Sequence, residues 1–368
     1  MSQLQVNRIN DASGGVLAPI SSVMRNRIIN GAMVIDQRNA GASVTPINTQ
    51  YLVDRFSYLA TQASKFSAQQ NAGSVTPPIG FNNYQGLTVI ATQSLGAGDF
   101  FGVSQKVEGF NISDLGWGTA NAKTVTLSFW VRSSLTGTFG GSLRNSAGNR
   151  SYPFSYTISA ANTWEYETIT IAGDTSGTWL TNNGIGIDLF FSLGTGSTFS
   201  GTGGAWTGSN LLSATGATSV VGTNGATFYI TGVQLEVGTQ ATSFEYRQYG
   251  TELSLCQRYA HIIKGQGGFS CMSSSLFVNA TTNARAFITL PVTMRAAPTA
   301  TYSAANTFLP QNGAGINLTP TGVGTTGNGV TPNYFSIDFT VSGATVASSG
   351  ILYDNNTTSA QITLSAEL

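Results

Sequence analysis

The sequence predicts an all-β protein: a large β-sandwich over residues 26–248, a smaller antiparallel β-sandwich over 249–368, and a short extended N-terminal arm over 1–25. Three observations carry this. The 44 glycines stand among many threonines and serines, with few Lys, Glu or Leu, a composition that favours strands and turns over helices. Apolar and polar residues alternate in short runs at 8–20-residue spacing, the period-2 pattern of half-buried strands. Only one short stretch, Thr251–Tyr259, has helical spacing.

Charge narrows the functional classes. Only 9% of residues are charged, against roughly a quarter in ordinary soluble proteins, and sixteen cations balance sixteen anions. Without a basic surplus the chain lacks the electrostatics of a nucleic-acid binder. A surface so weakly charged protects lone copies poorly against association, which points to an oligomer that hides edges and apolar faces. Aromatic residues make up 10%, which argues against disorder. The two cysteines, Cys256 and Cys271, are too few for a disulfide scaffold. The sequence shows no apolar signal-peptide core and no run near the roughly 18 apolar residues of a membrane span. The expectation is synthesis in a cytoplasm, no export by the usual route and no membrane insertion.

Taken in order, the arm can bury little by itself. It either frays or docks onto another protein, and Leu4, Val6 and Ile9 are the apolar side chains a docked arm would use. The large domain begins with Ile28, Ile29, Met33, Val34 and Ile35 around the turn Asn30-Gly31. Strands are predicted at Arg55–Thr61, Lys65–Gln70, Tyr84–Gln93 and Phe100–Val107. Lys123–Ser133 is the clearest, with Val125, Leu127, Phe129 and Val131 alternating with Thr126, Ser128, Trp130 and Arg132. Tyr152–Ile158, Trp164–Ile171 and Gly184–Leu193 follow. Residues 194–226 read as a long Gly/Ser/Thr loop, of a length that is usually functional. Phe228–Val237 closes the domain with Tyr229, Val233, Leu235 and Val237 on one face, before a tight turn at Gly238 and a short further strand. Thr251 then caps the helical turn, which places Leu255 and Tyr259 on one face. In the second domain the best strands are Arg285–Leu290, Tyr334–Val341 and Gln361–Ala366, with a Gly/Asn/Thr/Pro-rich stretch over Ala305–Pro332.

Catalytic chemistry finds little to use. A Ser-His-Asp or Cys-His arrangement would need the single histidine, His261, which reads as structural. One His and two Cys do not make a metal site, and the Gly-x-Gly pairs are turn glycines with no following helix. Calcium would have to use Asp114, Asp174 or Asp188, which lack EF-hand-like spacing. Glu165 and Glu167 share a strand face roughly 6.5 Å apart, close to glycosidase separations, but an i, i+2 acidic pair is also an ordinary solvated sheet face. The expectation is no catalytic residue, no metal and no cofactor. Trp117, Trp130, Trp179 and Trp206 are the candidates for carbohydrate binding, since flat aromatic faces stack on sugar rings; aromatics packed in an interface carry the same signature.

Four stretches, NRIINGAMVIDQRN (26–39), WGTANAKTVTLSFWVRSS (117–134), GTNGATFYITGVQLEVGTQATSFEYRQYGTELSLCQRY (222–259) and LPVTMRAAPT (290–299), resemble the tail fibre and minor tail structural proteins of tailed bacteriophages. The central domain is similar to the jelly-roll carbohydrate-binding modules attached to glycoside hydrolases, which decides for a jelly roll over a barrel. The resemblance implies a homotrimer in the virion tail. Its N-terminal arm would bind another tail or baseplate protein, and its β domains would be available to host-surface polysaccharide. It supplies no catalytic residue. A capsid decoration or head fibre and a glycan-degrading tailspike are the alternative readings.

Overall fold

The computed structural model describes residues 8–10, 16–19, 24–325 and 329–368, and within these the chain is nearly all β. Ten strands build the two main sheets of the N-terminal unit: β1 (Ser57–Ala60), β2 (Phe66–Gln70), β3 (Gln85–Val89), β4 (Phe100–Glu108), β5 (Val125–Ser133), β6 (Gly137–Arg144), β7 (Ser151–Ile158), β8 (Glu165–Ile171), β9 (Ile185–Thr195) and β10 (Thr227–Val237). They form two five-stranded antiparallel sheets. The first has the order β8-β5-β10-β3-β2 and the second β1-β4-β9-β6-β7, so the chain crosses repeatedly between sheets as a jelly roll does.

The alternation read in the sequence is the cause of this packing. Val125, Leu127, Phe129 and Val131 of β5 are completely buried against Ile187, Leu189, Phe191 and Leu193 of β9, while Thr126, Ser128, Trp130 and Arg132 lie on the outer face. β6 escapes the sequence reading because GTFGGSLR looks like a turn. Its glycines serve close packing instead: a Cβ on Gly141 would come within 2.5 Å of the Phe154 ring. The 194–226 stretch contains a short parallel pair, Ser200–Gly201 with Ser213–Ala214. It bonds to β6 through Thr218 N–H to Thr138 O and to β7 through Gly204 N–H to Pro153 O, and lies over part of the second sheet's outer side, where Ser213 and Ala217 pack on Gly140.

In β10 the register shifts between Thr231 and Gln234, where Gly232 takes φ +63°. This bulge inserts one residue and resets the alternation. Phe228 and Ile230 face the core before it, and Val233 and Leu235 after it. The expected single face of Tyr229, Val233, Leu235 and Val237 is therefore corrected: Tyr229 lies on the outer side, against Tyr84.

Beyond the bulge β10 has no strand on its β3 side. Residues 26–31 occupy that place, with Arg27 N–H bonded to Leu235 O and Val233 N–H to Gly31 O, both at 2.9 Å. Asn26 pins the segment: its Oδ1 accepts from Leu235 N and Ile28 N, and its Nδ2 donates to Val233 O. Two of the four stretches quoted above, 26–39 and 222–259, thus meet here.

The chain passes from one compact unit to the other between Tyr249 and Gly250. Helix α1 (Tyr249–Gln257) starts two residues before the expected cap, so Thr251 lies inside its first turn, and Cys256 is its buried residue. Residues 239–248 form no strand. The C-terminal unit holds β11 (Ala260–Lys264), β12 (Cys271–Ala280), β13 (Asn283–Thr289), β14 (Thr299–Tyr302), β15 (Phe308–Asn312), β16 (Gly322–Gly324), β17 (Tyr334–Thr340), β18 (Ser349–Asp354) and β19 (Gln361–Ser365). A three-stranded sheet, β11-β19-β14, and a six-stranded one, β15-β18-β12-β13-β17-β16, enclose a core of which Phe335, Ile337, Phe339, Ile362 and Leu364 are fully buried members. Of the arm, Leu4 and Val6 lie outside the described residues; Ile9 belongs to Arg8–Asn10, which pairs antiparallel with Val16–Pro19.

Candidate functional site

The outer face of the first sheet carries the aromatic residues. Trp130 on β5 and Tyr166 on β8 are cross-strand partners, and their rings lie 5.2 Å apart at 47°. Facing them, Phe81, Phe244 and Tyr246 form a second group with centroid separations of 5.0 to 5.6 Å. Gly232 sits between the two groups: a Cβ there would be 2.7 Å from Phe81 Cζ and 3.1 Å from Trp130 Cδ1. With Ile79, Ser128, Ala241, Thr242 and Ser243 they line an open groove of about 420 Å³. No charged side chain lines it.

One wall of the groove is the irregular segment 239–246, and two buried polar side chains of β10 hold it. Glu236 accepts Thr242 N–H at 2.8 Å and the Thr242 hydroxyl at 2.7 Å. Gln234 donates to Glu236 Oε1 and accepts Glu245 N–H, each at 2.8 Å. Both side chains are 1% exposed or less, and both are hydrogen-bonded as burial demands. Tyr246 is an exposed residue whose hydroxyl lies beside Gly80, and the desolvation it does undergo raises its pKa.

Of the four candidate tryptophans, only Trp130 lines this groove. Trp117 and Trp179 are corrected to packing residues. They are 6% and 7% exposed and meet each other and Trp206 edge to face at 4.7 to 5.3 Å. Their indole N–H groups are spent inside the protein, on Lys123 O and on Asp174 Oδ2. Trp206 is half-buried in the same cluster, also packed on Tyr152, and donates to Ala172 O at 2.7 Å.

The sequence did not single out Tyr166, Phe81, Phe244 and Tyr246. A signal existed for Tyr166, on the polar parity of its strand beside Trp130, and for FEYRQYG, where three aromatics fall in a polar stretch. Their convergence depends on the bulge, which no pattern announced.

The carboxylates have local duties. Glu165 accepts the N–H groups of Ser159 and Ala160 at 2.7 to 3.1 Å, holding a turn. Glu167 is half-buried, and desolvation together with the neighbouring Glu165 charge raises its pKa. Neither lines the groove. Asp174 is bound on both oxygens by Arg150 at 2.6 and 2.8 Å, Asp188 by Arg144 and the Ser104 hydroxyl, and Asp114 by Arg27 at 2.7 Å. These arginines take the places a calcium ion would need. Among the described residues no three His, Cys, Asp or Glu side chains cluster as metal ligands. His261 lies on β11 with Gln257 3.4 Å from its Nδ1, and burial lowers its pKa.

No family model matches the sequence, and no curated protein matches it either. Solved structures do. The enzymatically active domain of bacteriophage CBA120 tailspike protein 4 is similar at 14% identity with a TM-score of 0.32; the match covers 59% of this chain and 22% of that one. TmCBM61, solved in complex with β-1,4-galactotriose, is similar at 12% identity and TM-score 0.30, over 58% of this chain and 99% of the other. A family 11 carbohydrate-binding module from Clostridium thermocellum, in complex with a β-1,3-1,4-mixed-linked tetrasaccharide, gives 10% identity and TM-score 0.27, over 54% and 97%. The chain thus spans nearly the whole of the two modules and about a fifth of the tailspike. Values this low assign no residue a role.

Proposed function

We propose that the protein is a non-enzymatic glycan-binding component of a phage virion, a trimeric tail fibre or tail-tip protein that attaches to host-surface polysaccharide. The observation that supports glycan binding is the groove itself. Five aromatic rings on two sides, three hydroxyl side chains and no charge make a site for a neutral sugar chain: rings cover the apolar faces of pyranoses, and hydroxyls exchange hydrogen bonds with theirs. Its volume falls within the range of ligand sites, roughly 300–1,000 Å³. The attachment role draws on the four phage-like stretches and on the low charge, and trimerisation would multiply weak contacts through effective concentration.

Calorimetry with host polysaccharide tests the groove. Trp130→Ala and Tyr166→Ala should each weaken binding at least about tenfold, as loss of an aromatic anchor does. Unchanged affinity in both variants would remove the support. Light scattering at micromolar concentration should give a particle three times the mass of the chain, and a folded monomer sinks the trimer. Removal of residues 1–23 should leave that particle intact but abolish its incorporation into virions. Imaged particles carrying the protein on the head would overturn the tail assignment. Released reducing ends, lost in Glu165→Gln or Glu167→Gln, would overturn the non-enzymatic one.

A further inference from the structure

The C-terminal unit has a concave site of its own, sharing no residue with the groove. Phe269, Leu309, Gln311, Asn317 and Tyr353 line a depression of about 370 Å³ on the outer side of the six-stranded sheet. Leu309 and Tyr353 are cross-strand partners on β15 and β18, on the opposite parity from the core residues Phe308 and Leu352. Gln311 lies on the same side. None of the five is charged.

Phe269 is the telling residue. It stands at φ +59°, a conformation that a bulky side chain adopts only at a cost, and its ring is 49% exposed. The loop beneath it is built to hold that geometry. Asp354, fully buried, accepts the N–H groups of Gln266, Gly267 and Ser270 at 3.0 to 3.1 Å and the Ser270 hydroxyl. Asn356 Oδ1 takes the Gly268 N–H at 3.0 Å. A buried carboxylate thus braces a strained turn whose product is an aromatic ring held out in water. Beside it, Gln311 Nε2 donates to Asn317 Oδ1 at 2.9 Å. Whichever way the two amides are turned, this pair retains one oxygen and one NH₂ for a ligand.

We propose that this depression is a second glycan site, taking a neutral pyranose against Phe269 and Tyr353 with its hydroxyls bonded to the Gln311–Asn317 pair. An acidic sugar finds no cation among the five lining residues. One ring with two adjacent hydroxyls matches an aromatic wall and a donor–acceptor pair.

The test uses the full chain carrying Trp130→Ala, which disables the groove, titrated by calorimetry with cellotetraose, maltotetraose and mannotriose, and with trigalacturonate as the charged control. Expected is residual binding of at least one neutral oligosaccharide at one site per chain, and none of trigalacturonate. Phe269→Gly, which relieves the positive φ, and Gln311→Ala should each weaken that binding at least about tenfold while the thermal midpoint holds. A folded Trp130→Ala chain that binds none of the three neutral sugars overturns the proposal. So does residual binding that both further variants leave intact, or binding of trigalacturonate in preference. The effect of Trp130→Ala on the otherwise unaltered chain reports the groove separately, so the two sites fail independently.

Discussion

Trp130 and Gly232 show how the proposed binding surface depends on single atoms. Gly232→Ala puts a methyl group against the Phe81 ring at a φ of +63°. It should lower glycan affinity and cost more than about 1 kcal/mol of stability, read by urea unfolding and calorimetry on the same sample. Arg150 illustrates the opposite kind of residue. Its two bonds to buried Asp174 complete a pair beneath the tryptophan cluster, and Arg150→Met strands that carboxylate. A loss of about 3–5 kcal/mol is expected in denaturant titration. Asp354 supplies a pH dependence. Burial works to raise its pKa, but the Ser270 hydroxyl and the Ser270, Gly267 and Gln266 N–H groups outweigh this and hold it below its ordinary 3.8. Its stabilisation is therefore complete above about pH 4 and lost as pH falls through the lower native value. Between pH 5 and pH 2 the thermal midpoint of the native chain should fall more steeply than that of Asp354→Asn. At this scale the sequence was informative about type and silent about facing: all four tryptophans looked alike, and only strand parity set Trp130 apart.

β10 is the element on which the N-terminal unit closes. Its first half pairs with β3 and its second with residues 26–31, a substitution of irregular chain for a strand. Asn26→Ala removes three hydrogen bonds in a position 1% exposed, leaving Leu235 N and Val233 O short of partners. The expected loss is about 1–3 kcal/mol, measurable as a lower midpoint in urea. Strands with clean alternation, such as β5 and β9, were legible because one face is core and the other is not. β6 was hidden by glycines that serve ring packing, and β12 by CMSSSLFVNA, where serines and an exposed Phe277 blur the period. β15 contains a proline, and β14 is only four residues long. The helix was legible in kind and displaced in position, since Tyr249 and Gly250 give no capping signal.

For the whole molecule, what matters is which surfaces are left open. Part of the second sheet's outer side is taken by the 194–226 stretch, and on the first sheet's outer side the groove beside Trp130 and Tyr166 stays open. The all-β architecture was readable from composition and period; which sheet face would be covered was not, because the covering chain is itself polar and glycine-rich. With zero formal net charge the protein has little electrostatic defence against its own copies. The proposed trimer should accordingly persist in 0.5 M salt when followed by light scattering, because contacts between nearly uncharged surfaces are little screened. Dissociation on adding salt would show that the few charges dominate instead.

The extra residue in β10 has a bearing on any attempt to redesign specificity. Exchanging only the rings of Phe244 and Tyr246, with Thr242 and Glu245 kept on Glu236 and Gln234, changes the chemistry of the wall and keeps the floor that Gly232 provides. Deleting one residue at the bulge to regularise the strand would push Val233 and Leu235 outward and draw their polar neighbours into the sandwich, so the binding surface and the fold would be lost together. Variation is cheap at the wall's two rings and forbidden in the frame that anchors them.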